Sequence, residues 1–329
     1  MNPSPRAERA TYQESLEPWA LVLAGGDGTR LQALTQAIAG APIPKQYCRI
    51  AGDRSLLEAT LNRIAPLVPP ERTLVVVNRP HLPLAQPQLL GLPPENVLVQ
   101  PENRDTGPGL LFGLLRLAER APRAHVAVFP SDHFVGEEEI FRTHIERAAR
   151  LVWHLPEKIA LLGIRPTHAE PGFGYIEIAH PVTPPHPSAP EAFHVGAFRE
   201  KPTLAVARRL VRCGGLWNSF VMIFRVDRML GLLRHRRWAD VERMRMASRP
   251  HPHAVDYADV PRWNFSTEFL SRIPDELLVV PVEGINWNDW GTQEAIERTL
   301  ALLKLEPQWR RLPPRAAVEP RPAAARAVE

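Results

Sequence analysis

Apolar positions along the chain fall into two rhythms. Short apolar or β-branched runs at residues 19–24, 73–77, 97–99, 125–129 and 159–164 read as buried strands. Between them, residues 55–67, 110–118 and 140–151 carry apolar side chains at helical spacing, which predicts helices with one buried face. Strand and helix in alternation predict an α/β fold, with a mainly parallel central sheet and helices on both faces. From Gly172 the rhythm shortens. Strands are expected at 175–178, 193–198 and 220–224, and helices at 203–211 and 227–234. This half reads as a smaller mixed insertion that builds a second wall of one cleft. A last strand at 277–281 and a helix at 293–305 close the pattern, and no internal repeat is present.

Size and composition narrow the class. The 329 residues are 44% hydrophobic and 23% charged, which suits a soluble globular chain. No apolar run reaches the roughly 18 residues that span a membrane, so no membrane partner is expected. Residues 1–17 are polar and lack an apolar stretch, so they read as a disordered lead-in rather than a secretory signal. The main domain is expected over 18–306, as halves of about 18–165 and 166–306. Residues 307–329, rich in Pro, Ala and Arg, are expected to form a disordered tail. Proline-rich 181–190 reads as a stiff connecting loop. The formal charge of +4 comes mostly from the tail, which holds five Arg and two Glu. A nearly neutral body argues against nucleic acid as a partner. Cys48 and Cys213 cannot build a disulfide framework, which points to the reducing cytoplasm. The 12 histidines show no metal-ligand spacing.

Seven short motifs follow one another in a fixed order. They are Leu23-Ala24-Gly25-Gly26-Asp27-Gly28-Thr29-Arg30-Leu31, Pro44-Lys45-Gln46, Pro101-Glu102-Asn103-Arg104-Asp105-Thr106, Pro130-Ser131-Asp132-His133, Gly172-Phe173-Gly174-Tyr175-Ile176-Glu177, Arg199-Glu200-Lys201-Pro202 and Trp217-Asn218-Ser219. The glycine segment and the Pro-Ser-Asp-His segment both end predicted strands, where α/β sheets bind ligands. Gly25, Gly26 and Gly28 allow a tight turn that brings backbone N–H groups to a phosphate chain. Arg30 and Lys45 are cations suited to phosphate charge. The spacing matches neither the Walker A pattern nor the dinucleotide fingerprint, and alone the glycine segment reads better as a plain strand-to-helix turn. Asp132 suits either a helix cap or a magnesium ligand.

Taken together, the motifs resemble those of sugar-phosphate nucleotidyltransferases, and most closely the mannose-1-phosphate guanylyltransferases. The resemblance runs from about residue 19 to 305. It implies a Rossmann-like nucleotidyltransferase fold and the attack of a sugar 1-phosphate on the α-phosphorus of a nucleoside triphosphate, with pyrophosphate leaving. It implies GTP and mannose 1-phosphate as partners, GDP-mannose as product and nucleotide-sugar biosynthesis as setting. It implies Mg2+ held by Asp132 and Asp289. Gly25, Gly26 and Gly28 would hold the nucleotide, Arg30 and Lys45 its phosphates, and Gln100, Pro101 and Thr106 its base. Gly174, Glu200 and Asn218 would hold the sugar, and Lys201 the sugar phosphate. Arg30, Lys45, Asp132 and Lys201 form the implied catalytic set. Self-association into a homo-oligomer is left open.

The chain departs from the family pattern at named positions. Ala33 replaces a proline, Asp105 an asparagine, and Gly107-Pro108-Gly109 a more alanine-rich run. Phe220 stands in place of a glycine and is expected to narrow the sugar pocket, while Trp290 replaces a valine after Asp289. These changes leave the sugar and base open, so glucose 1-phosphate with UTP or dTTP is an alternative. A non-catalytic nucleotide-sugar-binding module is a second. A glycosyltransferase is a third, and the missing Asp-x-Asp pair at Asp132-His133-Phe134 counts against it.

Overall fold

The computed structural model describes residues 18–184, 186, 190–248, 256–307 and 309. Its strands are β1 (Trp19–Leu23), β2 (Thr73–Asn78), β3 (Val97–Gln100), β4 (His125–Pro130), β5 (Phe134–Val135), β6 (Ile159–Ile164), β7 (Gly174–Pro181), β8 (Phe193–Glu200), β9 (Leu216–Arg225), β10 (Leu277–Val282) and β11 (Trp287–Asn288). The longer helices are α1 (Gln32–Ala39), α2 (Leu56–Ile64), α3 (Thr106–Arg120), α4 (Glu138–His154), α5 (Leu204–Arg212), α6 (Val226–Ala247) and α7 (Gln293–Leu302).

Nine strands form one sheet in the order β3-β2-β1-β4-β9-β6-β10-β8-β7. Parallel ladders join β3, β2, β1 and β4, and β6 to β10, as the alternating pattern predicts. Strand β9 runs antiparallel between β4 and β6, and β8 runs antiparallel to β10 and β7. The later strands therefore complete the same sheet rather than forming a separate layer. The antiparallel ladders all involve β9 or β8, and the other ladders of the sheet are parallel.

Period-two alternation distributes the core between the two faces. Ala20, Val22, Val75, Val77, Ala127 and Phe129 face one cluster with Leu57 of α2 and Ile145 of α4. Leu21, Leu74, Val76, Val126 and Val128 face the other, with Leu114 of α3 and Met229 of α6. Leu21 is fully buried between β1 and α3, where truncation to Ala would cost about 2–5 kcal/mol. Helix α2 starts at Ser55, whose hydroxyl accepts from Glu58 N–H while the Glu58 carboxylate accepts from Ser55 N–H, a reciprocal capping box.

A third cluster gathers Leu31, Leu34, Ile50, Trp290, Ile296 and Leu300. Trp309 packs on it and its indole N–H donates to the Ile50 carbonyl at 2.7 Å. Pro307 is buried as well. The sequence places both in a disordered tail, whereas Pro307 is buried and Trp309 docks on the third cluster; an indole supplies enough apolar area to do so. The remainder of the expected tail, the lead-in at 1–17 and residues 185 and 187–189 of the connecting loop lie outside the described residues. No helix among the described residues is long and apolar enough to cross a membrane.

Candidate active site

The carboxyl ends of β1, β3 and β4 open into a cleft of about 690 Å³. Its lining includes Gly25, Gly26, Gly28, Arg30, Lys45, Gln100, Thr106, Asp132, Gly174, Glu200, Lys201, Asn218 and Asp289. Motifs spread over some 260 residues thus meet in one cavity. Pro101 is exposed and does not line it among the described residues.

The glycine loop leaves β1 against a buried amide network. Asn78 donates to the Gly25 carbonyl, Gln100 donates to Asn78 Oδ1, and Tyr257 donates to Gln100 Oε1 at 3.0 Å. A Cβ on Gly25 would lie 2.8 Å from Gln100 Nε2 and 2.9 Å from Asn78 Oδ1, so only glycine fits. Gly28 has φ +61 and backs onto Pro44 and Lys45, which favours glycine twice over. Gln46 donates to the Ala24 and Gly26 carbonyls at 3.1 and 2.7 Å, and the Tyr47 hydroxyl donates to Ala24 at 2.8 Å. Gln100 is 2% exposed and its side chain serves this network, so it supports the loop from beneath. Arg30 is exposed at the rim and forms no ion pair among the described residues, which leaves its guanidinium for a ligand.

The acidic side is assembled by a two-stranded ladder. β5 and β11 pair antiparallel, with Phe134 opposite Asn288, so Asp132 and Asp289 flank the same short ribbon. Lys45 is 7% exposed between them. Its ammonium meets Asp132 Oδ2 at 3.2 Å and donates to the backbone carbonyls of Asp289 and, at 3.1 Å, Trp290. An ammonium has three N–H donors, and all three are taken. The sequence expectation gives Lys45 to phosphate; in the structure its ammonium bridges the two acidic segments. Burial pushes the Asp132 carboxyl up, but the charges of Lys45 and His133 outweigh it and hold the group below the usual carboxylate range. Burial keeps His133 below the usual imidazole value against the pull of Asp132. Its ring stands edge-on to Trp287 at 5.2 Å.

Trp290 anchors Asp289. It is fully buried, stacks on Phe134 at 4.8 Å, and holds φ +48. Asp289 Oδ1 accepts from Gly291 N–H at 2.8 Å. No group of three or more His, Cys, Asp and Glu converges among the described residues. Two carboxylates with oxygen donors still suit magnesium, which keeps waters and takes its other ligands from phosphates.

On the opposite wall, β7 and β8 pair Gly174 with Glu200. A Cβ at Gly174 would lie 2.6 Å from Glu200 Oε2. Lys201, with φ +43 and its side chain 61% exposed, sits 3.3 Å from Glu200 and reaches into the cleft. Asn218 accepts from Phe220 N–H at 3.0 Å and donates to Ser266 Oγ at 3.3 Å.

Sequence reading missed the segment after residue 256. Arg262, Asn264 and Ser266 line the cleft. Arg262 donates to the Asn103 carbonyl at 2.8 Å, and Asn103 donates to Asp27 at 2.8 Å, tying three loops together. Thr106, expected at the base, accepts from Phe265 N–H at 3.0 Å and so joins α3 to this segment. The signal was the polar Arg-Trp-Asn run itself, which no periodicity distinguishes from an ordinary loop.

A family model for nucleotidyl transferases matches residues 19–304. The xanthan biosynthesis protein XanB of Xanthomonas campestris pv. campestris (strain B100) is 30% identical over 286 residues, covering 84% of this chain and 58% of that protein. A mannose-1-phosphate guanylyltransferase of Escherichia coli (strain K12) is 32% identical over 227 residues, covering 66% of this chain and 44% of that protein. The chain thus spans about half the length of the curated relatives it matches. A crystal structure described as a mannose-1-phosphate geranyltransferase from Thermus thermophilus superposes with a TM-score of 0.74 at 31% identity, over 87% of this chain and 79% of that one. A UTP-bound UGPase from Acinetobacter baumannii shares the fold at 13% identity, with a TM-score of 0.53 over 86% of this chain and 92% of that one.

Proposed function

The chain belongs to the nucleotidyl transferase family, and from that premise we propose that it joins GTP and mannose 1-phosphate to give GDP-mannose and pyrophosphate. The observation that carries this reading is the meeting of a glycine loop, two flanking carboxylates and the Glu200, Lys201 and Asn218 side chains in one cleft. Relatives described as mannose-1-phosphate guanylyltransferases favour this sugar and base.

The reaction needs no general base, because the attacking phosphate oxygen is already an anion. A new bond forms to the α-phosphorus as the bond to pyrophosphate breaks. The protein's task is to align two anions and offset their repulsion. The backbone at Gly25, Gly26 and Gly28 approaches the triphosphate, and Arg30 at the rim adds a cation. Gln100 and Thr106 shape the base side. Glu200 accepts from sugar hydroxyls, Asn218 offers its remaining N–H, and Lys201 meets the sugar phosphate. Asp132 and Asp289 would hold Mg2+, which when bound lowers the charge on the phosphate oxygens. Lys45 ties the Asp132 carboxylate to the backbone that carries Asp289. Cys48 and Cys213 are both free thiols, which supports a cytoplasmic setting.

The test is pyrophosphate release by the purified protein with magnesium, across GTP, UTP, dTTP, CTP and ATP against mannose, glucose, fucose and heptose 1-phosphates. Release with GTP and mannose 1-phosphate is expected. A signal only with UTP or dTTP and glucose 1-phosphate would move the specificity. Silence from folded protein that binds nucleotide by calorimetry would favour a binding module.

A further inference from the structure

We propose that Phe220 sets the size limit of the sugar pocket; this rests on the function proposed above and deepens it. Four observations converge on this side chain. Strand β9 slips against β6 between Leu161 and Gly163: Leu161 opposes Met222, while Gly163 opposes Asn218. Two residues of β6 therefore span four of β9, and Phe220 lies in the excess. Such bulges re-aim side chains beside active sites. Phe220 also holds φ +61, a region that costs a bulky residue about 1–3 kcal/mol.

The bulge is stapled from both sides. The Ser219 hydroxyl donates to the Leu162 carbonyl at 2.6 Å and accepts from Val221 N–H at 3.1 Å, replacing the interrupted ladder. The Phe220 N–H donates to Asn218 Oδ1 at 3.0 Å, which fixes the amide that faces the cleft. The turned-out ring lines the cleft with Gly174, Glu200 and Asn218, and meets Phe265 edge-on at 6.2 Å. Phe265 is itself fully buried and held by Thr106, so the ring has a rigid backing.

Phe220 thus adds an apolar side chain to the stretch of cleft lining that also carries Asn218. It admits a compact hexose 1-phosphate and excludes one with a bulky substituent, such as an N-acetyl group, on the side facing Asn218. Glycine fits φ +61 without strain, so Phe220→Gly opens the wall while sparing the backbone. Phe220→Leu gives an intermediate volume.

The experiment measures kcat/KM of wild type, Phe220→Leu and Phe220→Gly with mannose 1-phosphate and with N-acetylglucosamine 1-phosphate, at saturating GTP. The ratio of bulky to compact substrate should rise in that order, by about 10-fold or more for glycine. A purely structural role would lower both substrates together and leave the ratio flat, which overturns the proposal. Wild type active on mannose 1-phosphate with a flat variant ratio sinks the size limit alone. Wild type silent with every sugar 1-phosphate sinks the function on which it rests, and the size limit with it.

Discussion

Replacing Lys45 by Met separates a strut from a phosphate clamp. Methionine keeps the length and apolar stem and removes the charge and the donors. The wild-type ammonium serves one carboxylate and two backbone carbonyls. Each carbonyl left without its donor costs about 1–3 kcal/mol when buried. Breaking a buried ion pair costs about 3–5 kcal/mol, but the Asp132 side chain is 31% exposed and water can replace part of the lost interaction. With the partly exposed ion pair discounted to about 1 kcal/mol, these give a destabilisation of about 3–7 kcal/mol, which a domain with more than that of its about 5–15 kcal/mol in hand survives. Urea unfolding followed by circular dichroism would read it as a lower midpoint with an unchanged slope. Pyrophosphate release by the same folded protein should fall to background, because the Asp132 carboxylate and the backbone carrying Asp289 lose the cation that joins them. A cation whose sole duty was phosphate would leave stability within about 0.5 kcal/mol of wild type, as surface changes do. A variant that stable would refute the strut.

Three further outcomes follow from other contacts. Asp132→Asn keeps the side-chain volume and should lower turnover about 100-fold or more in protein with a native circular dichroism spectrum; near-normal turnover would remove it from the metal site. Gly107→Ala puts a Cβ 2.2–2.5 Å from three carbons of the Trp263 ring, which is buried and covered by Arg237 at 4.2 Å, so a loss of about 1–3 kcal/mol is expected in thermal unfolding. Trp309→Ala removes an indole bond and its packing on the third cluster, and should cost about 1–2 kcal/mol; an unchanged melting temperature would return the residue to the tail.

What the sequence discloses is what neighbours decide. Gly25 to Arg30 follows an apolar strand within a few residues, so turn, loop and cation are visible together. The alternation in β1, β2 and β4 assigns faces by counting. The insertion of β9 between β4 and β6 is different, because it joins residues about 100 and 60 positions apart through a strand whose own pattern is ordinary. The β5–β11 ribbon is only two residues on each side, too short for any periodic signal, yet it brings Asp132 and Asp289 together. Lys45 reads as a free cation because its three acceptors are one distant carboxylate and two backbone carbonyls that no residue type announces.

The departures from the family pattern take on a meaning in space that they lack in sequence. Asp105, Lys201, Phe220 and Trp290 hold positive φ, and the one other non-glycine to do so among the described residues is Lys304. Three of the four line the cleft and Trp290 adjoins Asp289. Each carries strain that its surroundings must impose: Asp105 caps α3 through Thr106 N–H, Lys201 is held by the Phe173 carbonyl at 3.2 Å, Phe220 by the bulge, and Trp290 by Phe134 and the third cluster. Gly107 makes the converse exchange, giving up a side chain so that Trp263 can lie against α3. Three of these positions, Asp105, Phe220 and Trp290, are ones where the chain departs from its family, and they concentrate where ligands would be gripped. Strain scattered at random over the described residues would fall mostly on exposed loops. Four of the five strained residues instead lie in or beside the cleft, where a side chain held in a fixed pose shapes the space a ligand would meet.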